Sequence, residues 1–270
     1  MHKVIGSVLV KNEDRFVEQS IRNIADFCDK IIISDNGSND GTWSILQELD
    51  AVYDHMTLSK IDDTVQSQEL LRPYAGGDYW VFGVDGDEIY DPVGLMRFKK
   101  RLLSGELDKS WVVFGNALNC VHVDEKEGVA RGYLAPPCRS MTKLYNFSAI
   151  SDWTGCGHRL SGGSPVFKEG FDASMRNELY KSVTWEDADF RCLHTCFTGR
   201  TSLAAGKHQD GEARLNITET QGRTPWLRLK DWMLGAMGLR RGSPWKMEKY
   251  CRGDLVEKDV SMFFKSDRHQ

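Results

Sequence analysis

A chain of 270 residues is long enough for one large domain with a continuous core, or for one domain carrying a small appendage. With 40% hydrophobic and 27% charged residues, and with no low-complexity tract or internal repeat, it is neither a disordered nor a fibrous protein. The net charge of −4 is unevenly spread: from residue 223 to 252 eight Lys and Arg face two acids, a local +6 that leaves −10 elsewhere, and a basic segment on an acidic body points to phosphates as partners.

Seven cysteines at scattered spacings do not make a disulfide framework, so reduced thiols in a cytoplasm are expected. Met1 runs almost at once into an apolar strand pattern without the marks of a signal peptide. No apolar run approaches the ~20 residues that a bilayer span requires.

Residues 4–10 are apolar and rich in β-branched side chains, which suits a buried parallel strand. The polar loop 11–14 follows, with Asp14 as expected N-cap of a helix whose apolar residues Phe16, Val17, Ile21, Ile24, Ala25 and Cys28 recur at helical spacing. Residues 31–33 form the next strand, which ends in a cluster of turn residues at 35–42, and a second helix spans about 42–49. Strand, helix, strand and helix in this order predict a right-handed βαβ unit that binds ligands at its strand ends. After a helix near 65–74, residues 79–84 form another buried strand that runs straight into Asp85-Gly86-Asp87-Glu88. A helix over 93–103 leads to expected strands at 111–118, 120–123 and 141–147. The alternation at 189–197 puts Cys192, His194 and Cys196 on one strand face. Residues 199–220 read as a mobile polar loop. Trp226, Leu229, Trp232, Met233, Ala236 and Met237 mark one face of a helix in the basic segment.

The strongest chemical pattern is Asp85-Gly86-Asp87. Two carboxylates one residue apart at a strand end can face one hard cation, Mg²⁺ or Mn²⁺, of the kind shared with a substrate diphosphate. Such an ion offsets charge that builds on a departing nucleoside diphosphate. The same tripeptide would also serve as a plain surface turn. Cys192 to Cys196 does not have the spacing of a structural zinc site.

Three segments in order then carry a resemblance. They are Val8-Leu9-Val10-Lys11-Asn12-Glu13, the loop Asp35-Asn36-Gly37-Ser38-Asn39-Asp40-Gly41-Thr42, and Trp80-Val81-Phe82-Gly83-Val84-Asp85-Gly86-Asp87-Glu88. Together they resemble glycosyltransferase family 2, of the GT-A fold, in the branch with Lys-Asn-Glu and Asp-x-Asp-Glu motifs. The likeness covers about the first hundred residues. It implies that Val10 and Asn12 line the base and ribose pocket, that Asp35 and Asn36 contact the nucleoside, that Asp85 and Gly86 lie by the ribose and diphosphate, and that Asp87, with Asp85, holds the metal. Glu88 would support the ligands from behind or cap the next helix. Where relatives often carry Arg-Asn ahead of the Asp-x-Asp strand, this chain has Gln66-Ser67-Gln68-Glu69. His194 fits a late strand histidine that completes the metal site in this fold, and His158 lies where relatives often show His-Glu, although Arg159 replaces the acid. An inverting transfer needs a general base for the acceptor hydroxyl. Asp187, in a Glu186-Asp187 pair like that of the family, is the first candidate and Asp152 the second.

The resemblance therefore implies an α/β, GT-A-like (nucleotide-diphospho-sugar transferase) fold: a mixed, mainly parallel central sheet flanked by helices, with a helical C-terminal extension. Residues 1–200 would be the catalytic domain, with a nucleotide-sugar-binding half at 1–105 and an acceptor-side half at 106–200, and 201–270 a mobile loop and basic helical extension. The expected activity is Mn²⁺- or Mg²⁺-dependent transfer of a hexosyl or pentosyl group from a nucleotide sugar, a UDP sugar first. The acceptor would be a glycan or polysaccharide intermediate, or a hydroxymethylated base in DNA. Two other classes compete: a nucleotidyltransferase that makes nucleotide sugars, which would want a Gly-rich cationic loop after the first strand, and a non-catalytic nucleotide-binding module.

Overall fold

A computed structural model of the chain describes residues 2–154, 160–204 and 244–264. In its first half strand and helix alternate: β1 (Lys3–Val10), α1 (Val17–Ala25), β2 (Lys30–Asp35), α2 (Thr42–Asp50) and β3 (Met56–Lys60). Next come α3 (Thr64–Glu69), β4 (Tyr79–Asp85), β5 (Glu88–Tyr90) and α4 (Pro92–Leu103). Helix α1 buries Val17, Ile21, Ile24 and Ala25 and leaves Glu18 and Arg22 paired outside at 2.9 Å, one turn apart. Asp14, expected from the sequence as its N-cap, does not hold that position; Phe16 takes it without a side-chain bond. The Asp14 carboxylate instead accepts from the backbone of Gly41 at 3.3 Å and of Ser202 at 2.7 Å. Helix α4 is capped by Asp91, which accepts from Gly94 N at 2.9 Å.

The second half supplies β6 (Val112–Phe114), β7 (Asn116–Asp124), β8 (Val129–Ala135), β9 (Lys143–Asn146), β10 (Ile150–Thr154), β11 (Ser164–Phe167), β12 (Arg176–Glu178) and β13 (Arg191–His194). A short helix α5 (Pro244–Tyr250) and strand β14 (Leu255–Asp259) follow. The main sheet has the order β12-β6-β9-β4-β1-β2-β3. In it β4, β1, β2 and β3 run parallel, β12 runs parallel to β6, and β9 is antiparallel to both its neighbours. This is the mixed, mainly parallel α/β architecture that the sequence predicts. A second sheet, β14-β8-β7-β13-β5, stands beside it, and β10 and β11 form a separate hairpin.

The single strand expected at 111–118 is two strands in two sheets. The chain switches sheets at Gly115, where a Cβ would stand 2.1 Å from the carbonyl oxygen of Phe190. The strand expected at 189–197 keeps its regular pairing only over β13, so Cys192 and His194 share a face and Cys196 lies beyond it. In the C-terminal segment α5 is followed by β14, which adds an antiparallel edge to β8. The apolar helix face expected at 226–237 lies outside the described residues, as do Arg240 and Arg241. Among the described residues no helix is long and apolar enough to cross a membrane.

The two sheets are joined by aromatic packing. Phe190, just ahead of β13, stacks on Phe98 of α4 at 4.8 Å and lies 5.7 Å from Phe82 of β4. Each of these rings is fully buried, a gain of roughly 1.5–3 kcal/mol apiece. That packing fixes the start of β13 against β4 and α4.

Candidate functional site

The parallel register sets the site. Asp85 pairs with Leu9, and Val10 pairs with Asp35, so β4, β1 and β2 end level with one another. At about 4.8 Å between strands, the three ends lie within roughly 10 Å. The residues expected to hold a donor, Val10, Asn12, Asp35, Asn36, Asp85, Gly86 and Asp87, are thus gathered at the carboxyl edge of the sheet, where open α/β sheets bind ligands.

The loops after β1 and β2 are bonded to each other. Asn12 adopts a positive φ of 56°, which Asn tolerates. There its N–H donates to Ser38 Oγ at 2.9 Å, and its own Oδ1 accepts from Asn39 N at 2.9 Å. Asp35 is fully buried, and its carboxylate accepts from Ser38 N at 3.2 and 3.3 Å and from the Ser38 hydroxyl. Asn36 donates its backbone N–H to Val10 O at 3.0 Å, while its side-chain Nδ2, in a residue 2% exposed, has no acceptor among the described residues. A buried donor without a partner is costly, so a ligand oxygen here would be bound favourably.

Gly86 allows the turn after β4 to press on β1. A Cβ there would lie 2.8 Å from Glu13 Cγ and 3.0 Å from Val10 Cγ1. The Ser20 hydroxyl donates to Gly86 O at 3.1 Å and holds the turn down. Around this turn stand four acids and two cations. Lys143 Nζ is 3.4 Å from Asp85 and 3.5 Å from Glu88. Arg200 bonds Glu13 at 2.9 Å and stands 3.9 Å from Asp87. Burial works against the Arg200 charge, but Glu13, Asp87 and Asp85 outweigh it and hold the guanidinium above its ordinary value. Burial pushes the Glu88 carboxyl up to about 8; Lys143 opposes the shift, Asp85 and Asp87 add to it, and the Tyr90 hydroxyl at 3.0 Å opposes it. Glu88 therefore backs the turn and does not cap α4, a place that Asp91 holds.

The end of β13 completes the surroundings. His194 pairs in register with Glu88, so the two side chains share a face. Its Nδ1 lies 2.9 Å from Asn119 Oδ1, and its ring packs edge-on against Tyr250 at 5.1 Å. Thr195 donates both its N–H and its hydroxyl to the Asp87 backbone carbonyl, at 2.9 and 3.2 Å.

The chemistry of the donor set fits a hard divalent ion. The Asp87 side chain is 12% exposed and accepts no hydrogen bond among the described residues, its nearest cationic atom being Arg200 at 3.9 Å. Asp85 adds a second carboxylate oxygen donor and His194 lies by the same turn. Among the described residues no three His, Cys, Asp or Glu are grouped as a metal site.

Other expected residues are not brought here. Asp187 is exposed, accepts from Thr184 Oγ1 at 2.7 Å, and precedes β13, at the opposite end of that strand from His194. Glu186 beside it pairs with Lys258 at 2.5 Å. Asp152 on β10 is engaged by Arg72 through two bonds of 3.2 Å, and that guanidinium holds its carboxyl below the usual range. His158 lies outside the described residues. Sequence reasoning missed Lys143 and Arg200. Lys143 left one signal, a lysine inside the strand expected at 141–147; Arg200 left none.

No family model matches the chain, and no curated protein matches it. Solved structures do. One is a mannosyltransferase from Pyrobaculum calidifontis in complex with GDP-Man and Mn²⁺, 18% identical over 42% of this chain and 35% of that one, at a TM-score of 0.34. Another is glucosyl-3-phosphoglycerate synthase from Mycobacterium tuberculosis in complex with phosphoglyceric acid, 20% identical over 55% and 58%, at 0.35. A third is 4-diphosphocytidyl-2C-methyl-D-erythritol synthase from Anaerococcus prevotii, 13% identical over 54% and 70%, at 0.34. The chain thus spans between about a third and three fifths of the length of the first two of these.

Proposed function

We propose that this chain is a metal-dependent glycosyltransferase that moves a sugar from a nucleotide-sugar donor, a UDP sugar in the first instance, to an acceptor hydroxyl with inversion. The observation that carries this is the Asp87 carboxylate, nearly buried and without a hydrogen-bond donor among the described residues, in a turn level with the ends of β1 and β2. Asp87 would hold Mn²⁺ or Mg²⁺, with Asp85 and His194 as the further candidate ligands, and the ion would supply charge to the departing diphosphate. Asn36 offers its unpartnered donor, and Val10, Asn12 and Asp35 shape the pocket for the nucleoside. Lys143 and Arg200 bring two further positive charges to the phosphate side. The acceptor is a glycan or polysaccharide intermediate under this reading.

A nucleotide-sugar-forming nucleotidyltransferase is disfavoured by the loop after β1. That loop has Lys11-Asn12-Glu13, with Glu13 buried and ion-paired, in place of glycines and free cations. The test is thermal stability of the full chain with nucleoside diphosphates, with and without Mn²⁺. Saturation at a hundred times Kd should add about 2.7 kcal/mol, seen as a rise in Tm for UDP with Mn²⁺ that Asp87→Asn abolishes. Failure of every nucleoside diphosphate to raise Tm would refute the proposal.

A further inference from the structure

A second, cationic cleft lies beside α5. It has a volume of about 480 Å³ and is lined by Arg139, Tyr180, Lys181, Lys249 and Arg252 against the lone acid Glu248. That volume lies within the range of small-molecule sites. Lys181 is partnered by Glu178 at 2.6 Å. Neither Arg139 nor Arg252 has an ion pair among the described residues; Arg252 uses only its Nε, which donates to the Glu248 carbonyl at 2.6 Å.

The cleft is built rather than incidental. Arg252 N donates to Cys138 Sγ at 3.2 Å, and Cys138 Sγ donates back to Arg252 O at 3.4 Å. Gly253, at a φ of +80°, lets the chain approach Pro137, where a Cβ would come within 2.7 Å of the ring. An adjoining hollow of about 340 Å³ shares Tyr180 and Lys181 and is bordered by Asn116. The Asn116 Oδ1, in a residue 2% exposed, has no donor among the described residues. It can accept a bond from a hydroxyl.

Two links join the cleft to the acidic turn. Tyr250, between Lys249 and Arg252 in sequence, packs on the His194 ring at 5.1 Å. Arg139 is four residues before Lys143, at most about 14 Å along an extended chain, and Lys143 contacts Asp85.

We propose that this cleft holds the phosphate of a phosphate-bearing acceptor, with Arg139 and Arg252 as its principal donors and the Asn116 hollow receiving a hydroxyl of the same molecule. That the molecule is an acceptor rests on the proposed glycosyl transfer; that it bears a phosphate does not. Guanidinium groups free for bidentate bonding suit a phosphate.

The test is calorimetric titration of the full chain with inorganic phosphate at fixed ionic strength and without divalent metal. Wild type should bind with a Kd of about 1–10 mM. Arg139→Gln with Arg252→Gln should weaken binding about tenfold or more, as should Arg139→Glu, a single exposed change that leaves the Arg252 contact with the helix intact. Asp87→Asn should leave it within about twofold. Absence of saturable binding, binding undiminished in both arginine variants, or binding lost only in Asp87→Asn would each overturn the proposal. If UDP with Mn²⁺ fails to stabilise the chain while the phosphate result holds, the transfer reading falls and the anion site stands.

Discussion

Substitution of Gly86 by Ala isolates how tightly the acidic turn must pack. The new methyl would stand 2.8 Å from Glu13 Cγ, 3.0 Å from Val10 Cγ1 and 3.1 Å from Glu13 Cβ. The turn cannot retreat easily, because Ser20 holds the Gly86 carbonyl at 3.1 Å. Glu13 cannot simply swing away, because Arg200 holds its carboxylate at 2.9 Å and Thr42 Oγ1 holds its N–H at 2.8 Å. Overpacking of this kind costs about 1–3 kcal/mol, while loss of glycine freedom in the unfolded chain returns roughly 0.4–1 kcal/mol. A net loss of about 1–2 kcal/mol follows, which in a chain of this size lowers Tm by roughly 2–8 °C. Gly41→Ala is the internal control. Its methyl meets only Asp14 at 3.4 Å, an ordinary contact, so its Tm should hold or rise slightly. The assay is thermal melting of both variants with and without UDP and Mn²⁺. The packing account fails if Gly86→Ala melts with wild type and keeps the full nucleotide shift.

Four further outcomes are expected. Asp91→Ala removes the cap of α4 and strands the buried Arg191, whose Nε and NH2 lie 3.0 and 2.9 Å from the carboxylate; denaturant unfolding should show a loss of about 3–5 kcal/mol, and a loss under 1 would contradict the network. Asp187→Asn, on the exposed stretch before β13, should leave turnover within about twofold, so a collapse of kcat with an unchanged fold would restore it as the general base. Asp14→Ala removes the acceptor for Ser202 and Gly41, and should weaken UDP·Mn²⁺ binding by up to about tenfold; an unaltered Kd would disconnect that loop from the site. The Asp40 carboxyl is pushed up by burial, but bonds from Thr201 at 2.6 Å, from Thr42 and from Asp14 N outweigh this and hold it below its usual value. A depressed carboxyl stabilises the fold above its unfolded value of about 3.9 and loses that effect as pH falls through the folded value. Wild type should therefore exceed Thr201→Val by at most about 1 kcal/mol at pH 7, discounted for exposure, and the gap should close as pH drops below about 4; a gap constant with pH would refute the sign.

The first half of the chain was legible because its elements obey local rules. Continuous apolar runs gave β1, β2 and β4, and a 3.6-residue period gave α1 and α4. The failures have physical causes. Strand β3 reads Met-Thr-Leu-Ser-Lys, half polar because it is an edge strand with only Met56 buried. Strand β8 carries Arg131 and Gly132, and the glycine is there because a Cβ would lie 2.3 Å from Asn119 O; such close approaches leave no apolar period to read. The motif placed the acids of the site, whereas the cations came from outside it. Arg200 meets Glu13 across 187 positions of chain, and no local pattern encodes a partner that far away.

Distance in sequence also explains how the turn is held by its own scaffold. The segment carrying Arg200 is pinned at both ends to the loops that would receive a nucleotide. Thr195 bonds the Asp87 carbonyl, Arg15 N donates to Arg200 O at 3.2 Å, and Thr201 and Ser202 bond Asp40 and Asp14. Arg200 is thus positioned by the loops after β1 and β2 as much as by the acids that it faces. With its guanidinium 3.9 Å from Asp87 and 2.9 Å from Glu13, it neutralises Glu13 by direct bonding and only attracts Asp87 at a distance. A carboxylate left in that condition, screened but not bonded, keeps its oxygens available to a cation while the neighbouring charge is already met. Had Arg200 closed on Asp87 instead, a metal would have had to displace a charge-assisted bond before it could bind; the Glu13 of the first motif is what holds the arginine back.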